Sequence, residues 1–559
     1  MVIQRQPPAP QRRLVNWTEG FAADLRSLAV LRIVVALTVL VDLIDRAPYL
    51  RTHYSDDGIL PRGILIDQLN KWWFSLSLMN GTTFFQGLIF GVTAVAALAM
   101  LVGYQTRLMT FVVWLLMLSI HARNLYVISG GDILLRLLLF WSMFLPLGAY
   151  WSVDRLRSAP QPGSKRILSL ATAGLFLQIA FMYWFTVLLK SGPEWRVDGS
   201  ALYYALNIDE ITTPFGAYLL QYPALLKVLT FGTLALEVGA TLLLFCPVFT
   251  GPVRTAAIVA VMAFHTGIWL TMSIGYYPWV SASCMVCFLP SWFWDTLIPR
   301  IRATFPKLSL AGGGARYIAA RLAHDFQATL SPRLVALGST GQYSIAARSG
   351  VMADGRMEHV ISGAVVPGGE RSSAVVHDMV RAKWSSPLLN LVAGFFLIYI
   401  FVWNLTSVST VTMTEDARAL GISLGISQYW SMFAPSPTQG TSWYVMPGVL
   451  QDGQQIDLFP YVLDGNPHDL KEVAWEKPQD IRNYFTSERW RKYFDALTNN
   501  DNTTLLRPFG QSICRSWNDI NGGTPLELQT FKIVANWQPT LEDNRRAPTE
   551  QTVVSNHVC

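Results

Sequence analysis

The sequence predicts an all-α polytopic membrane bundle of about nine transmembrane helices followed by a small extracytoplasmic β-rich C-terminal domain. Three observations lead there. Of 559 residues, 51% are hydrophobic and only 14% charged, against about 25% charged in an ordinary soluble domain. The apolar residues fall in blocks close to the roughly 20 residues a helix needs to cross hydrocarbon. Beyond residue 405 the blocks stop, and short alternating or aromatic runs broken by Pro and Gly replace them. This balance excludes a soluble cytosolic enzyme and makes the lipid bilayer the first partner. The net charge of +6 is dispersed through the chain, which sets orientation in a membrane and does not point to nucleic acid. Five scattered cysteines match neither a disulfide framework nor a zinc cluster, and no metal is expected.

A polar, Arg/Pro-rich segment (1–27) precedes an apolar run that begins too late and runs too long for a cleavable signal peptide. Runs at 28–46, 82–102, 106–122, 131–149, 167–190, 224–246, 254–273, 277–298 and 387–405 read as nine spans. Within 54–79, Asp56-Asp57-Gly58 leads into Lys71-Trp72-Trp73-Phe74, an aromatic and basic pattern suited to an interfacial helix. The bundle therefore covers 28–298. Residues 299–384 open with a basic helix-like piece, Arg316 to Gln327, and continue Gly/Ser/Ala-rich, as a cytoplasmic linker that cannot bury a core. The last span occupies 385–405. The C-terminal domain, 406–559, carries the hairpin-turn pair Asp452-Gly453 and a helix near Ser487 to Leu497. With the N-terminus inside, the cytoplasmic segments hold Arg12, Arg13, Arg155, Arg157, Lys165, Arg166, Arg300 and Arg302, while the opposite loops are poorer in Lys and Arg. The C-terminal domain then lies outside a cell membrane crossed many times, where Cys514 and Cys559 can pair.

Charge inside hydrocarbon is costly, so each ionisable group in a span asks for a partner or a role. Arg32, Asp42, His121, Asp132, Arg136, Lys190, Glu237 and His265 stand out. A structural reading makes them ion pairs that fix helix register, or residues snorkelling from a span end. Lys190 differs in ending the aromatic span that contains Trp184 and in preceding Ser191-Gly192-Pro193-Glu194-Trp195, a non-helical entrance. A lysine in a dry aromatic pocket suits a general base, and a snorkelling lysine remains the alternative. Cys284-Met285-Val286-Cys287 has redox spacing without a strand-to-helix context and reads as inert packing. Asn404-Leu405-Thr406 and Asn502-Thr503-Thr504 match the glycosylation pattern.

Several strings taken in order resemble one family. Leu31-Arg32-Ile33, Tyr54 to Gly58, Gly103-Tyr104-Gln105-Thr106-Arg107, His121 to Asn124, Gly130-Gly131-Asp132, Trp151-Ser152-Val153-Asp154 and Phe264-His265 are similar to the HTTM (horizontally transferred transmembrane) family, which includes the vitamin K-dependent gamma-carboxylases. The run Tyr429 to Phe433, Trp443 to Gly448 and Arg489-Trp490-Arg491 looks like the tail of bacterial members. The family's catalytic lysine opens a Lys-x-x-x-acid-Trp string, which Lys190 to Trp195 resembles. The resemblance implies Lys190 as base, with His265, Asp132 and His121 as orienting groups and Trp184, Glu194, Trp195 and Glu237 around the substrate. It also implies reduced vitamin K or another quinone hydroquinone, dioxygen and CO2, and a secreted peptide or protein substrate. One departure stands out: Ser129-Gly130-Gly131-Asp132 occupies the neighbourhood where the carboxylases carry a second catalytic histidine, and aspartate lacks imidazole's donor-acceptor pair.

Two functions follow as expectations. One is a membrane-embedded quinone-dependent carboxylase or oxygenase with lyase-type chemistry. The other is a non-enzymatic scaffold or maturation factor that binds a secreted partner through its C-terminal domain. A transporter fits less well, because no inverted repeat or matched pair of broken spans is evident.

Overall fold

The computed structural model describes residues 17–68, 73–158, 164–304, 387–468, 470–498, 503–542 and 545–559. Residues up to 293 form one compact unit with those from 387 onward. A second unit, 294–378, is described as far as Thr304 and is helical over Ile298–Thr304. The rest of the expected linker, with the basic piece at 316–327, lies outside the described residues.

Each of the nine apolar runs contains a helix: α1 (Leu25–Arg46), α2 (Thr83–Val102), α3 (Thr106–Arg123), α4 (Gly130–Ser142), α5 (Leu170–Leu189), α6 (Pro223–Leu243), α7 (Thr250–Thr271), α8 (Tyr277–Cys284) and α9 (Pro387–Leu405). Among the described residues six of them, α1, α2, α5, α6, α7 and α9, are long and apolar enough, by length and composition, to cross a membrane, which supports six of the nine expected spans. The other three fall outside that set for local reasons. α3 has Arg107 near its start and His121 and Arg123 in its last turn. α4 has 13 residues, about 20 Å of helix against the roughly 30 Å of hydrocarbon. α8 runs on only through a 3₁₀ turn, Met285–Phe288, before Pro290 stops it. Of these, α4 is interior, with nearly every side chain buried, as suits a helix apolar all round, whereas α3 leaves Leu108 and Phe111 exposed and α8 leaves Trp279 exposed. α6, α7 and α9 leave Val228, Phe231, Val259, Trp269, Leu391 and Ile398 exposed, the surface that lipid would cover.

Two of the family-like strings turn out to be joints. Arg32 of α1 is buried and donates to the carbonyls of Leu147, Tyr150 and Trp151 at 3.0, 3.2 and 2.5 Å. Asp154 accepts from the Gln105 and Thr106 amides at 2.8 and 2.7 Å and from Thr106 Oγ1 at 2.6 Å, capping α3. The expected interfacial helix over 54–79 is not one helix. Among the described residues it holds a helix at Arg62–Gln68 and a turn at Leu76–Leu78, and ahead of the helix Asp56 holds the non-helical 55–61 segment through Arg62 Nε at 2.7 Å and Arg123 Nη2 at 3.3 Å. Lys71 and Trp72 lie outside the described residues.

A two-stranded clip, β1 (Ala23–Asp24) with β2 (Arg166–Ile167), closes one end of the bundle. The C-terminal region folds as expected into a β-sheet with helices. Antiparallel strands β3 (Gly440–Val445) and β4 (Pro447–Leu450), separated only by Met446, pair in succession along β6 (Leu528–Pro539). β7 (Glu550–Val558) pairs with β6 as well. β5 (Gln455–Asp457) returns on β4 through the Asp452-Gly453 turn, where Gly453 takes φ +87°. α10 (Glu415–Ser423), α11 (Phe459–Asp464), α12 (Glu488–Thr498) and α13 (Thr503–Asn521) complete the region, and a disulfide joins Cys514 to Cys559. Asn404 is buried with its amide donated to the Ile400 carbonyl, so its Asn-Leu-Thr string is no accessible acceptor. Asn502 lies outside the described residues.

Candidate functional site

The ionisable groups gather in two buried clusters. The first forms where α5 ends. Gly192 and Pro193 cannot extend the helix, and Arg196 folds back to cap it, donating Nε to the Lys190 carbonyl at 2.8 Å and Nη2 to that of Val187 at 2.5 Å. Lys190, 4% exposed, points into the protein. Its Nζ donates to both oxygens of Glu237 on α6 at 2.8 Å each and sits 4.5 Å above the Trp195 ring. This is not the geometry of a snorkelling lysine. It is also not a lone amine in an aromatic pocket, because both oxygens of a carboxylate accept from it.

Close by, Tyr183 on α5 and His265 on α7 join at 2.6 Å through the hydroxyl and Nε2, while His265 Nδ1 is buried without a partner. The Tyr277 ring centre lies 5.9 Å from that imidazole. Trp184 donates Nε1 to Thr241 Oγ1 at 2.8 Å, pinning α5 to α6 one turn beyond Glu237. A strap from the C-terminal region closes over the 190–196 loop. The carbonyl of Phe433 accepts from Trp195 Nε1 at 2.8 Å, that of Pro435 from the Gly192 amide at 3.0 Å. Ser436 and Gln439 donate to the two Glu194 oxygens at 2.6 and 2.7 Å. Glu194 thus holds the strap, and among the described residues it forms no ion pair with Lys190.

The second cluster holds Asp132 and His121. Asp132 caps its own helix, with Oδ2 accepting from the Ser129 amide and hydroxyl at 2.6 and 2.8 Å. Its Oδ1 accepts from the Tyr276 hydroxyl at 2.6 Å and from Arg46 Nη2. Asp42 accepts from Arg46 Nε at 2.8 Å and from Arg489 Nη2 of α12 at 2.6 Å. Arg489 also reaches Asp45 at 2.7 Å and the Val127 carbonyl at 3.1 Å. His121 Nε2 lies 3.6 Å from Asp42 and 3.4 Å from Asp132, beyond good hydrogen-bond length. Asp42, His121 and Asp132 present ligand atoms within 4.8 Å of one another, a spacing a metal ion would accept. Both carboxylates, however, are already matched by two guanidiniums, so an added dication would be uncompensated.

Among the described residues no hydrogen bond or ion pair joins Asp132 or His121 to Lys190 or His265, so the four expected catalytic residues divide two and two. The dipeptide Tyr276-Tyr277 bridges them, one tyrosine facing each cluster. Gly130 and Gly131 make room for it: a Cβ on Gly131 would lie 3.2 Å from the Tyr277 Cα. Tyr183, Tyr276 and Arg46 were not foreseen as site residues, and Arg489 only as part of a family-like string. An arginine 447 residues from its aspartate gives no local signal. Tyr183, in Phe181-Met182-Tyr183-Trp184-Phe185, reads as one more apolar aromatic.

A chain with six potential spans, a short buried inner helix and charge held in two internal clusters is an integral membrane protein built around a helical bundle. The HTTM domain family model matches residues 22–292, so the helical bundle carries an HTTM domain, the family that the strings in the sequence resemble. No curated protein and no solved structure matches the chain.

Proposed function

We propose that the protein is a membrane-embedded, quinone-dependent enzyme of the carboxylase or oxygenase type acting on an acidic extracytoplasmic substrate. The observation that carries this reading is the buried Lys190–Glu237 pair under Trp195, beside Tyr183 and His265. Moving one proton from Nζ to the carboxylate turns an ion pair into a neutral amine and a neutral acid without creating net charge in a dry site. The pair, and not the lysine alone, is then the unit that accepts or returns a proton. The residues suit a hydroxylated ring: His265 Nδ1 is a buried polar atom with no partner, and Trp195 and Tyr277 supply aromatic walls. Reduced vitamin K or another quinone hydroquinone, oxidised by dioxygen, would supply the basicity that deprotonates an acidic acceptor, to which CO2 would then add. Trp195, fixed through Phe433, and Tyr183, fixed through His265, would orient that ring. Lys190 is 4%, Glu237 5% and His265 2% exposed, so admission requires the 190–196 loop and its strap to part.

The topology belongs to the same proposal: N-terminus cytoplasmic and C-terminal region outside, an arrangement that needs an odd number of crossings and so takes one or all of α3, α4 and α8 across the membrane beside the six long helices; the basic loops and the Cys514–Cys559 pairing, which suits an oxidising compartment, support it. The decisive experiment supplies reduced vitamin K and dioxygen to purified protein in detergent and measures epoxide. Expected is turnover that Lys190→Ala and Lys190→Arg both abolish, since an arginine cannot give up its proton. Equal turnover in wild type and Lys190→Ala would sink the assignment. No turnover with any quinone would transfer the weight to the scaffold reading, in which the C-terminal domain binds a secreted partner.

A further inference from the structure

A cavity of about 700 Å³ opens in the C-terminal region between α13 and the end of β7. Arg507, Gln511 and Arg515 line it from one helix face, at four-residue spacing. Eight residues of helix set the two arginines about 12 Å apart along the axis. Both are exposed, and neither has an ion pair or hydrogen bond among the described residues. The amides of Gln511 and Asn556 are equally unengaged, and no acidic side chain lines the space.

The opposite wall is rigid. His557 stacks on Phe531 with ring centres 4.7 Å apart and bonds Ser555 Oγ through Nε2 at 2.9 Å. Its ring lies where a Cβ on Gly510 would sit, so only glycine lets the helix and the imidazole meet there. Cys514 and Cys559 form part of the cavity wall, and their disulfide locks the helix to the strand.

Two unpaired guanidiniums with free amides between them form a donor set for a multidentate oxyanion, in a volume within the usual 300–1,000 Å³ of ligand sites. We propose that this cavity binds a phosphate-class oxyanion, free or carried on a lipid headgroup, between Arg507 and Arg515. The site is independent of the Lys190 cluster and does not depend on what that cluster catalyses.

Because the disulfide is part of the wall, occupancy shields it from a reductant. The full-length protein in detergent is treated with dithiothreitol, an uncharged thiol, and the reduced fraction of Cys514–Cys559 is followed by alkylation and peptide mapping. Inorganic pyrophosphate is expected to slow reduction at least threefold in wild type and not in the double variant Arg507→Gln/Arg515→Gln. Both arginines are at the surface, so the variant should keep the wild-type melting temperature; Arg507→Lys/Arg515→Lys, which keeps the charges, should keep part of the protection. In nanodiscs, slowing by phosphatidylglycerol over phosphatidylcholine without pyrophosphate identifies the headgroup as the source. Slowing by pyrophosphate alone identifies a soluble one. Identical rates with and without both probes, or equal slowing by sodium chloride at matched ionic strength, would overturn the proposal.

Discussion

Arg489→Met removes the cation that the C-terminal region contributes to the bundle. In the wild type, Asp42 and Asp132 face Arg46 and Arg489, two charges against two, with the bundle's three side chains fully buried and that of Arg489 only 4% exposed. Without Arg489 the remaining three carry a net charge of −1, and the Asp42 oxygen that accepted at 2.6 Å faces the packed interior alone. Removing one partner of a buried pair costs about 3–5 kcal/mol, more than any surface pair in the molecule can offer. The assay is reversible SDS unfolding in mixed micelles, comparing wild type, Arg489→Met, Asp42→Asn and the double variant. Asp42→Asn/Arg489→Met leaves Arg46 with Asp132 and no surplus charge, so the double variant should recover much of the loss, with a coupling of about 2 kcal/mol. Arg489→Lys should fall between, since an ammonium cannot serve Asp42, Asp45 and the Val127 carbonyl together. A loss under about 1 kcal/mol for Arg489→Met, or strict additivity in the double variant, would refute the charge count.

Burial pushes the carboxyl of Glu210, outside the spans, up to about 7 from an ordinary 4.5, with one oxygen unpartnered. The folded state therefore holds a proton that the unfolded chain has lost, and stability should fall as pH rises from about 4.5 through 7, by up to about 3 kcal/mol. Glu210→Gln should flatten that slope and raise the melting temperature at pH 8; parallel pH profiles for the two proteins would dismiss it. Gly131→Ala puts a Cβ 3.2 Å from the Tyr277 Cα and should destabilise by about 1–3 kcal/mol as Tyr276 is pushed from Asp132. Wild-type thermal stability in that variant would show that the tyrosine pair has room to move.

Hydrophobic run length made the helices legible, and the turn residues after 405 made the sheet legible. The number of true crossings was not, because an apolar run does not say whether lipid or protein covers it. α4 is as apolar as a span yet only 13 residues long and almost wholly covered by protein, and only the packing around it reveals that. Lys190, Glu237 and His265 were visible as charges in apolar runs, whereas their partners had to be supplied by the fold. Asp132 was read with Lys190 because both carry family-like strings, yet those strings serve several purposes. Arg32 and Asp154 fasten loops, Gly130 and Gly131 admit a tyrosine pair, and Asp132 caps its own helix. Geometry separates these roles where spacing could not.

The distance in sequence between Asp42 and Arg489 is also an interval in time. At a synthesis rate of ~5–20 residues per second, the 447 residues between them take on the order of half a minute or more to emerge. Throughout that interval Asp42 lacks the guanidinium of Arg489 and shares Arg46 with Asp132. The cluster can reach its charge balance only once residue 489 has emerged, so the C-terminal region sets when that part of the bundle can close.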